Sequence, residues 1–201
     1  MHKFNQPGDI HFVTFRTHYN YPYFKDKKNC SILLEELDFY GNKLNLKIYG
    51  YVILPDHFHC LIYFKSEKLT ISKVMQSIKG ASARRIIDLY ISSGSQEHPL
   101  LTRLEQMLQT TPRERKLGGM KQRLHAIPKG HRRGLKFRIW QPGFYDFNIY
   151  TNKKFWEKLD YIHKNPIKHK LTDNIANYKY CSLRNYELND HSIFKIDYRE
   201  D

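Results

Sequence analysis

The sequence predicts an α+β fold, a ferredoxin-like split βαβ with an antiparallel central sheet and helices on one face. Three observations predict it. Apolar stretches switch between alternating and helical spacing in the order strand, helix, strand, strand, helix, then, after a basic insertion, strand and helix. Pro55-Asp56 forms a tight turn between two adjacent strand-like runs. The 201 residues are 40% hydrophobic and 14% aromatic, enough for one real core and too apolar for wholesale disorder.

Ile10-His-Phe-Val-Thr-Phe-Arg16 is β-branched and aromatic and reads as the first strand. Pro22 and the polar run 25–29 break it. Ser31 to Tyr40 has helical spacing, with Ser31 or Asn29 as N-cap and Gly41 as stop. Leu44–Leu54 and His57–Phe64 are expected as the second and third strands. A second helix is expected from Thr70 or Ser72 through Met75, Ile78, Ala83, Ile86 and Leu89 to about Ile91.

Residues 92–134 read as an insertion, with Ser/Gly clusters, Pro99, Pro112 and Pro128, and little periodicity beyond Leu100–Leu108. Arg113 to Arg138 contains ten Lys/Arg against one acid, Glu114, and is expected to be a flexible basic arm. Lys136–Trp140 is the expected fourth strand, followed by a turn at Gln141-Pro-Gly143 and by Phe144–Tyr150. A third helix starts at a Thr151/Asn152 cap and is expected to stop near Asn165, because Pro166 follows. The whole chain, 1–201, is expected to be one domain with the insertion at about 92–135 and a tail from 167 that resists assignment.

Thirty-four Lys+Arg against 20 Asp+Glu give a formal net charge of +14, which points to a polyanionic partner, nucleic acid foremost. No long basic amphipathic helix with a clean apolar face argues for a membrane surface. Cys30, Cys60 and Cys181 are scattered and odd in number, so they read as reduced thiols. No signal-like segment follows Met1, and apolar runs such as Val52–Leu54 are too short to span a bilayer. The expectation is a soluble, cytoplasmic protein, associated with the bacterial nucleoid when bound to DNA.

The richest segment is Tyr51-Val-Ile-Leu-Pro-Asp-His57-Phe58-His59-Cys-Leu-Ile-Tyr-Phe64. On a strand, side chains alternate faces, so His57 and His59 point the same way, about 6.5–7 Å apart along the strand, and Phe58 points oppositely. Two imidazoles on one face of a buried strand can grip a divalent metal. The pair by itself fits a structural role as well. The second half of the constellation is Trp156-Glu-Lys-Leu-Asp-Tyr161-Ile-His-Lys-Asn165, where Tyr161 and Asn165 are one helical turn apart on one face. A phenol beside an amide oxygen, facing two histidines, supplies a nucleophile and a third metal ligand.

Leu54-Pro-Asp56 followed by His57-Phe58-His59 resembles the His-hydrophobic-His signature of the HUH endonucleases. Trp140-Gln-Pro-Gly-Phe-Tyr-Asp146, then Asp160-Tyr-Ile-His-Lys-Asn-Pro-Ile-Lys168, resembles the single-tyrosine transposases of insertion sequences. Within that group the chain is most similar to the REP-associated tyrosine transposases, and Tyr180-Cys-Ser-Leu-Arg-Asn-Tyr186 resembles their closing segment. The resemblance spans roughly residues 9–186, interrupted by the basic insertion. It implies Tyr161 as nucleophile and His57, His59 and Asn165 as ligands of one Mg²⁺ or Mn²⁺. It further implies cleavage and rejoining of single-stranded or hairpin DNA through a 5′-phosphotyrosine, without ATP. Family members carry Gln or Asn at the last ligand position, which Asn165 satisfies, and many carry His where this chain has Phe147. A homodimer is compatible with the resemblance.

Each part also has an ordinary explanation. Tyr161 is one of 15 tyrosines, and Asn165-Pro166 alone is a helix stop. His163 is expected as a last-turn residue favoured by the helix dipole, or as a base. Asp56 is expected as a turn residue and Asp160 as solvated or paired with Lys164. Trp140, Phe144 and Tyr145 suit base stacking or a hairpin core. Arg113, Arg115, Lys116, Arg132, Arg133, Lys136 and Arg138 suit salt-sensitive phosphate contacts. The alternatives are a catalytically silent hairpin-DNA-binding protein and a nickase of the replication-initiator type. A third, an RNA-recognition module, lacks its aromatic strand run.

Overall fold

A computed structural model describes residues 8–66, 68–92 and 138–199. Strands β1 (Ile10–Arg16), β2 (Lys47–Leu54), β3 (His57–Tyr63) and β4 (Tyr145–Ile149) form one antiparallel sheet in the order β2-β3-β1-β4. Helix α1 (Lys27–Leu44) connects the first two strands, α2 (Ile71–Ser92) follows the hairpin, and α3 (Asn152–Lys168) follows β4. A short α4 (Leu183–Leu188) lies in the tail. This is the expected α+β arrangement, a split βαβ around an antiparallel sheet. Most of the basic insertion, including Arg113, Arg115, Lys116, Arg132, Arg133 and Lys136, lies outside the described residues.

Alternation along the strands divides the core into two layers. Val13, Phe15, Tyr51, Ile53, Phe58, Cys60 and Ile62 point to the side where Leu33, Leu37, Val74, Met75 and Ile78 of α1 and α2 pack. Phe12, Tyr49, Val52, Leu54, Leu61 and Ile149 point to the other side and meet Phe155, Leu159 and Ile162 of α3. The expectation of helices on one face therefore holds for α1 and α2, while α3 covers the opposite face. Burying each of those large α3 side chains contributes about 1.5–3 kcal/mol, enough to clamp the helix against the sheet. At Gly50 the Leu159 side chain of α3 packs directly on the β2 backbone, and an added Cβ would lie 2.6 Å from Leu159 Cδ1.

Several expected boundaries move. Helix α1 begins four residues before Ser31, capped by Asp26, whose side chain accepts from Lys28 N at 2.9 Å, and it runs through Gly41 to a left-handed Asn45. Pro166 does not end α3, which continues to Lys168. Proline removes only its own bond to the carbonyl four residues back, and His169 N still bonds Asn165 O at 2.9 Å. The fourth strand is Tyr145–Ile149. Of the expected Lys136–Trp140 strand, the described part offers only an isolated bridge from Trp140 to Thr17.

The tail closes the exposed edge of β2. Ile53 N bonds Tyr180 O at 3.0 Å, Ser182 N bonds Tyr51 O at 2.9 Å, and Asp197 N bonds Ile48 O at 2.8 Å. Phe194 and Ile196 join the α1/α2 side of the core. An otherwise open strand edge is thus paired by the chain itself. All three cysteines are free and buried. Among the described residues no helix is long and apolar enough to cross a membrane.

Candidate active site

The site forms where β1 and β3 meet α3. In the antiparallel register Thr14 lies opposite His59 and Arg16 opposite His57, so Phe12, Thr14 and Arg16 share a face with both histidines. The two imidazole centroids are 4.9 Å apart. Phe58, between them, packs with Phe15 on the opposite face at 5.0 Å.

Each imidazole is oriented through Nδ1. His57 Nδ1 donates to Asp56 Oδ1 at 2.6 Å, since a carboxylate only accepts, and this leaves Nε2 with its lone pair. Asp56 is in the turn, as expected, and also orients this ring. Its other oxygen lies 3.6 Å from Arg16 Nη1. His59 Nδ1 is 2.6 Å from the Thr14 hydroxyl, and His59 Nε2 is buried with no partner among the described residues. Burial, reinforced by His57 and Arg16, pushes the His59 pKa down to about 2. Burial also lowers the His57 pKa, against the opposing pull of Asp56. Both rings are therefore neutral at ordinary pH, the form that offers a lone pair to a cation.

Helix α3 lays its polar stripe over the pair. The Tyr161 ring is 5.3 Å from the His59 ring and edge-on to Phe12 at 5.8 Å. At the far end of the stripe the His169 ring lies 5.1 Å from His57. Asn165 is one turn from each and 1% exposed, so it sits between two residues that touch the histidines. Its Nδ2 donates to Tyr161 O at 2.8 Å, which fixes the amide, and its Oδ1 is buried without a partner among the described residues. Tyr161 is 37% exposed.

Two buried side-chain atoms of this stripe and strand, His59 Nε2 and Asn165 Oδ1, have no partner among the described residues, at a cost of about 1–3 kcal/mol each. A divalent cation would relieve both, and the imidazole and amide donors suit Mg²⁺ less and Mn²⁺ well. Among the described residues no three His, Cys, Asp or Glu are grouped so that they could hold a metal, so a cation beside the two imidazoles would need a donor of another type, and the Asn165 amide oxygen is of such a type. The residues present fit the ion.

Other candidates are not at the centre. His163 is buried on the far side of α3, with Nε2 3.0 Å from Ser182 Oγ, and burial lowers its pKa to about 4. It serves packing against the tail instead of the helix dipole. Asp160 is paired with Lys164 at 2.8 Å, as expected. Trp140 is a correction: its indole is buried between Phe15 and Phe24 and its Nε1 donates to Ser82 Oγ at 3.1 Å, leaving no face for a base. Phe144 also packs on the α1/α2 core. Tyr145 stays exposed, edge-on to Phe12 at 6.2 Å. Arg138 is half-buried beside Trp140. His11, with Nδ1 3.0 Å from Asp146 Oδ1, is on the other face of β1.

Thr14 and His169, which touch the two histidines, were missed by sequence reasoning. Each had a signal: alternation from Phe12 on β1 for Thr14, and one helical turn after Asn165 for His169.

Residues 7–98 match the family model described as transposase, IS200-like. The matched stretch contains both histidines and ends before α3. No protein of curated function matches the chain. Among solved structures, the REP-associated tyrosine transposase bound to a REP hairpin is similar at a TM-score of 0.62 and 16% identity, covering 100% of this chain and 91% of that one. A transposase of Deinococcus radiodurans, itself assigned only provisionally, aligns with a TM-score of 0.44 and 16% identity, over 80% of this chain and 91% of that one. The first of these likenesses shows the shared fold.

Proposed function

For a chain related over residues 7–98 to the IS200-like transposases, we propose metal-dependent cleavage and rejoining of single-stranded or hairpin DNA, the chemistry of DNA transposition. The observation that carries this reading is Tyr161, partly exposed, with its ring 5.3 Å from His59, on the helix whose buried Asn165 Oδ1 is, like His59 Nε2, without a partner among the described residues.

His57, His59 and Asn165 would hold Mg²⁺ or Mn²⁺, which when bound supplies Lewis-acid polarisation of a phosphate. Asp56 and Thr14 keep the ring nitrogens aimed, as partners of metal-bound imidazoles commonly do. Tyr161 Oη attacks phosphorus, a P–O(Tyr) bond forms and the P–O3′ bond breaks. The phenol proton is lost and the departing 3′ oxygen gains one. The product is a 5′-phosphotyrosine and a free 3′-OH, so the bond energy is retained for rejoining. Tyr145 offers an exposed ring for a base near the nucleophile. The basic stretch from Arg113 to Arg138 is assigned phosphate contacts in this reading, and a homodimer is compatible with it.

The experiment is incubation of labelled single-stranded DNA carrying candidate hairpins, with and without Mn²⁺, followed by denaturing electrophoresis. Wild type should yield a metal-dependent covalent adduct. Tyr161→Phe should abolish it while leaving DNA binding largely intact, and His59→Ala should lose it through the metal. An adduct surviving Tyr161→Phe would assign the nucleophile to another tyrosine.

A further inference from the structure

Two lysines on α3 flank Tyr161 without any carboxylate. Lys158 Nζ lies 5.8 Å and Lys168 Nζ 5.4 Å from the Tyr161 ring centroid. Lys158 is also 5.0 Å from the Phe12 ring and 5.1 Å from Phe147, so three aromatic rings hold its ammonium in place. Residues 158, 161, 165 and 168 fall within an arc of about 80° on the helix. They form a single stripe facing the two histidines.

The charges of α3 are distributed unevenly along it. Lys154 is paired with Glu157 at 2.7 Å and Lys164 with Asp160 at 2.8 Å. Among the described residues Lys158 and Lys168 make no ion pair and no hydrogen bond. The two acids that pair on the helix, Glu157 and Asp160, thus take Lys154 and Lys164, while Lys158 and Lys168 beside Tyr161, like Lys153 in the first turn, hold no ion pair among the described residues. Two ammonium groups beside one partly exposed phenol concentrate positive charge there and favour an anion at that place. Their N–H donors remain available, and phosphate oxygens are the acceptors they suit.

We propose that Lys158 and Lys168 form a two-ammonium seat for the DNA backbone phosphate that meets Tyr161. The proposal rests on reading Tyr161 as the nucleophile, and it assigns phosphate positioning to residues outside the metal ligands. The aromatic support of Lys158 makes it the fixed arm. Lys168, in the last helical turn and exposed, is the arm that adjusts to the strand.

The test measures binding alone, in the Tyr161→Phe background with EDTA present, using fluorescein-labelled oligodeoxythymidine across a range of KCl concentrations. Lys158→Met and Lys168→Met should each reduce the log affinity against log salt slope by about 0.7, the value for one lost phosphate contact on a single strand. Lys158→Arg should restore it. Lys154→Met and Lys164→Met, which remove lysines already paired, should change it far less. Equal effects from all four positions, or slopes unchanged at 158 and 168, would overturn the seat. Circular dichroism checks that each helix variant is folded. The covalent-adduct assay reports separately: adduct with unchanged slopes removes the seat and keeps strand cleavage, whereas slope loss without adduct keeps the seat on a protein that only binds DNA.

Discussion

Asn165 Nδ2 donates to the Tyr161 carbonyl oxygen at 2.8 Å, so the helix turn that carries the phenol also fixes the amide beside it. With the nitrogen committed, Oδ1 is the atom left buried and unpartnered, and the amide flip is decided by the backbone. Asn165→Ala removes that oxygen and one side-chain-to-backbone bond. Mn²⁺ affinity, read by calorimetry, should fall at least tenfold, while thermal stability falls by little, about 1 kcal/mol, because an unsatisfied acceptor leaves with the bond. Unchanged Mn²⁺ affinity would take Asn165 out of the ligand set.

The partners of the two ring nitrogens make a second prediction. Asp56 Oδ1 and Thr14 Oγ1 are each 2.6 Å from an Nδ1 atom, and neither side chain is itself a proposed ligand. Asp56→Asn and Thr14→Val should weaken Mn²⁺ binding by about 10–100-fold, the range seen when the outer partners of ligating histidines are lost. Folding should persist in both, checked by near-UV circular dichroism. Equal metal affinity in Thr14→Val would mean that packing against Phe12, at 5.5 Å, is enough to orient His59.

Much of this architecture was legible because it is periodic. Alternation put His57 and His59 on one face, and the turn spacing put Tyr161 and Asn165 on another. What periodicity does not carry is which face of the sheet a helix will cover. The α3 side chains Phe155, Leu159 and Ile162 make an apolar stripe that fits either face, and only the second apolar set on the strands, led by Phe12, Leu54 and Leu61, decides it. Local stop signals were also outweighed. Gly41 lies inside α1 and Pro166 inside α3, because packing of the residues before them stabilises a helix by more than one weak residue costs. The tail escaped assignment since its order comes from pairing with the distant edge strand β2, through Tyr180, Ser182 and Asp197, and not from its own pattern.

Gly50 links the fold to the site. An alanine Cβ there would approach Leu159 Cδ1 to 2.6 Å and Ser182 Oγ to 3.4 Å, both buried neighbours. Leu159 is two residues before Tyr161 on α3, so relief of the clash must move the Leu159 side chain or the helix. Gly50→Ala should destabilise the protein by about 1–3 kcal/mol, as overpacking does. Adduct formation at a temperature where the variant is folded should fall as well. Stability lost with full cleavage would show that Leu159 alone yields and that α3 keeps its position.

Buried histidines set the acid side of the stability profile. His59 is held down to about 2 and His163 to about 4, in each case chiefly by burial, whereas in the unfolded chain both titrate near the ordinary 6.5. Below that value the unfolded state takes up protons that the folded state refuses, so the unfolded state is favoured as pH falls. Stability from these two groups is complete above about pH 6.5. It declines by roughly 1.4 kcal/mol per pH unit for each as the pH drops below that value, until the folded-state value is reached. Urea midpoints of the metal-free protein should therefore decrease steadily from pH 7 toward pH 5. His163→Asn, which keeps a polar group near Ser182 but does not titrate, should lower stability at pH 7 and flatten the slope by about one group's share. A variant whose slope matches wild type would show that His163 takes up its proton in the folded protein too, through an opening of the contact between α3 and the tail.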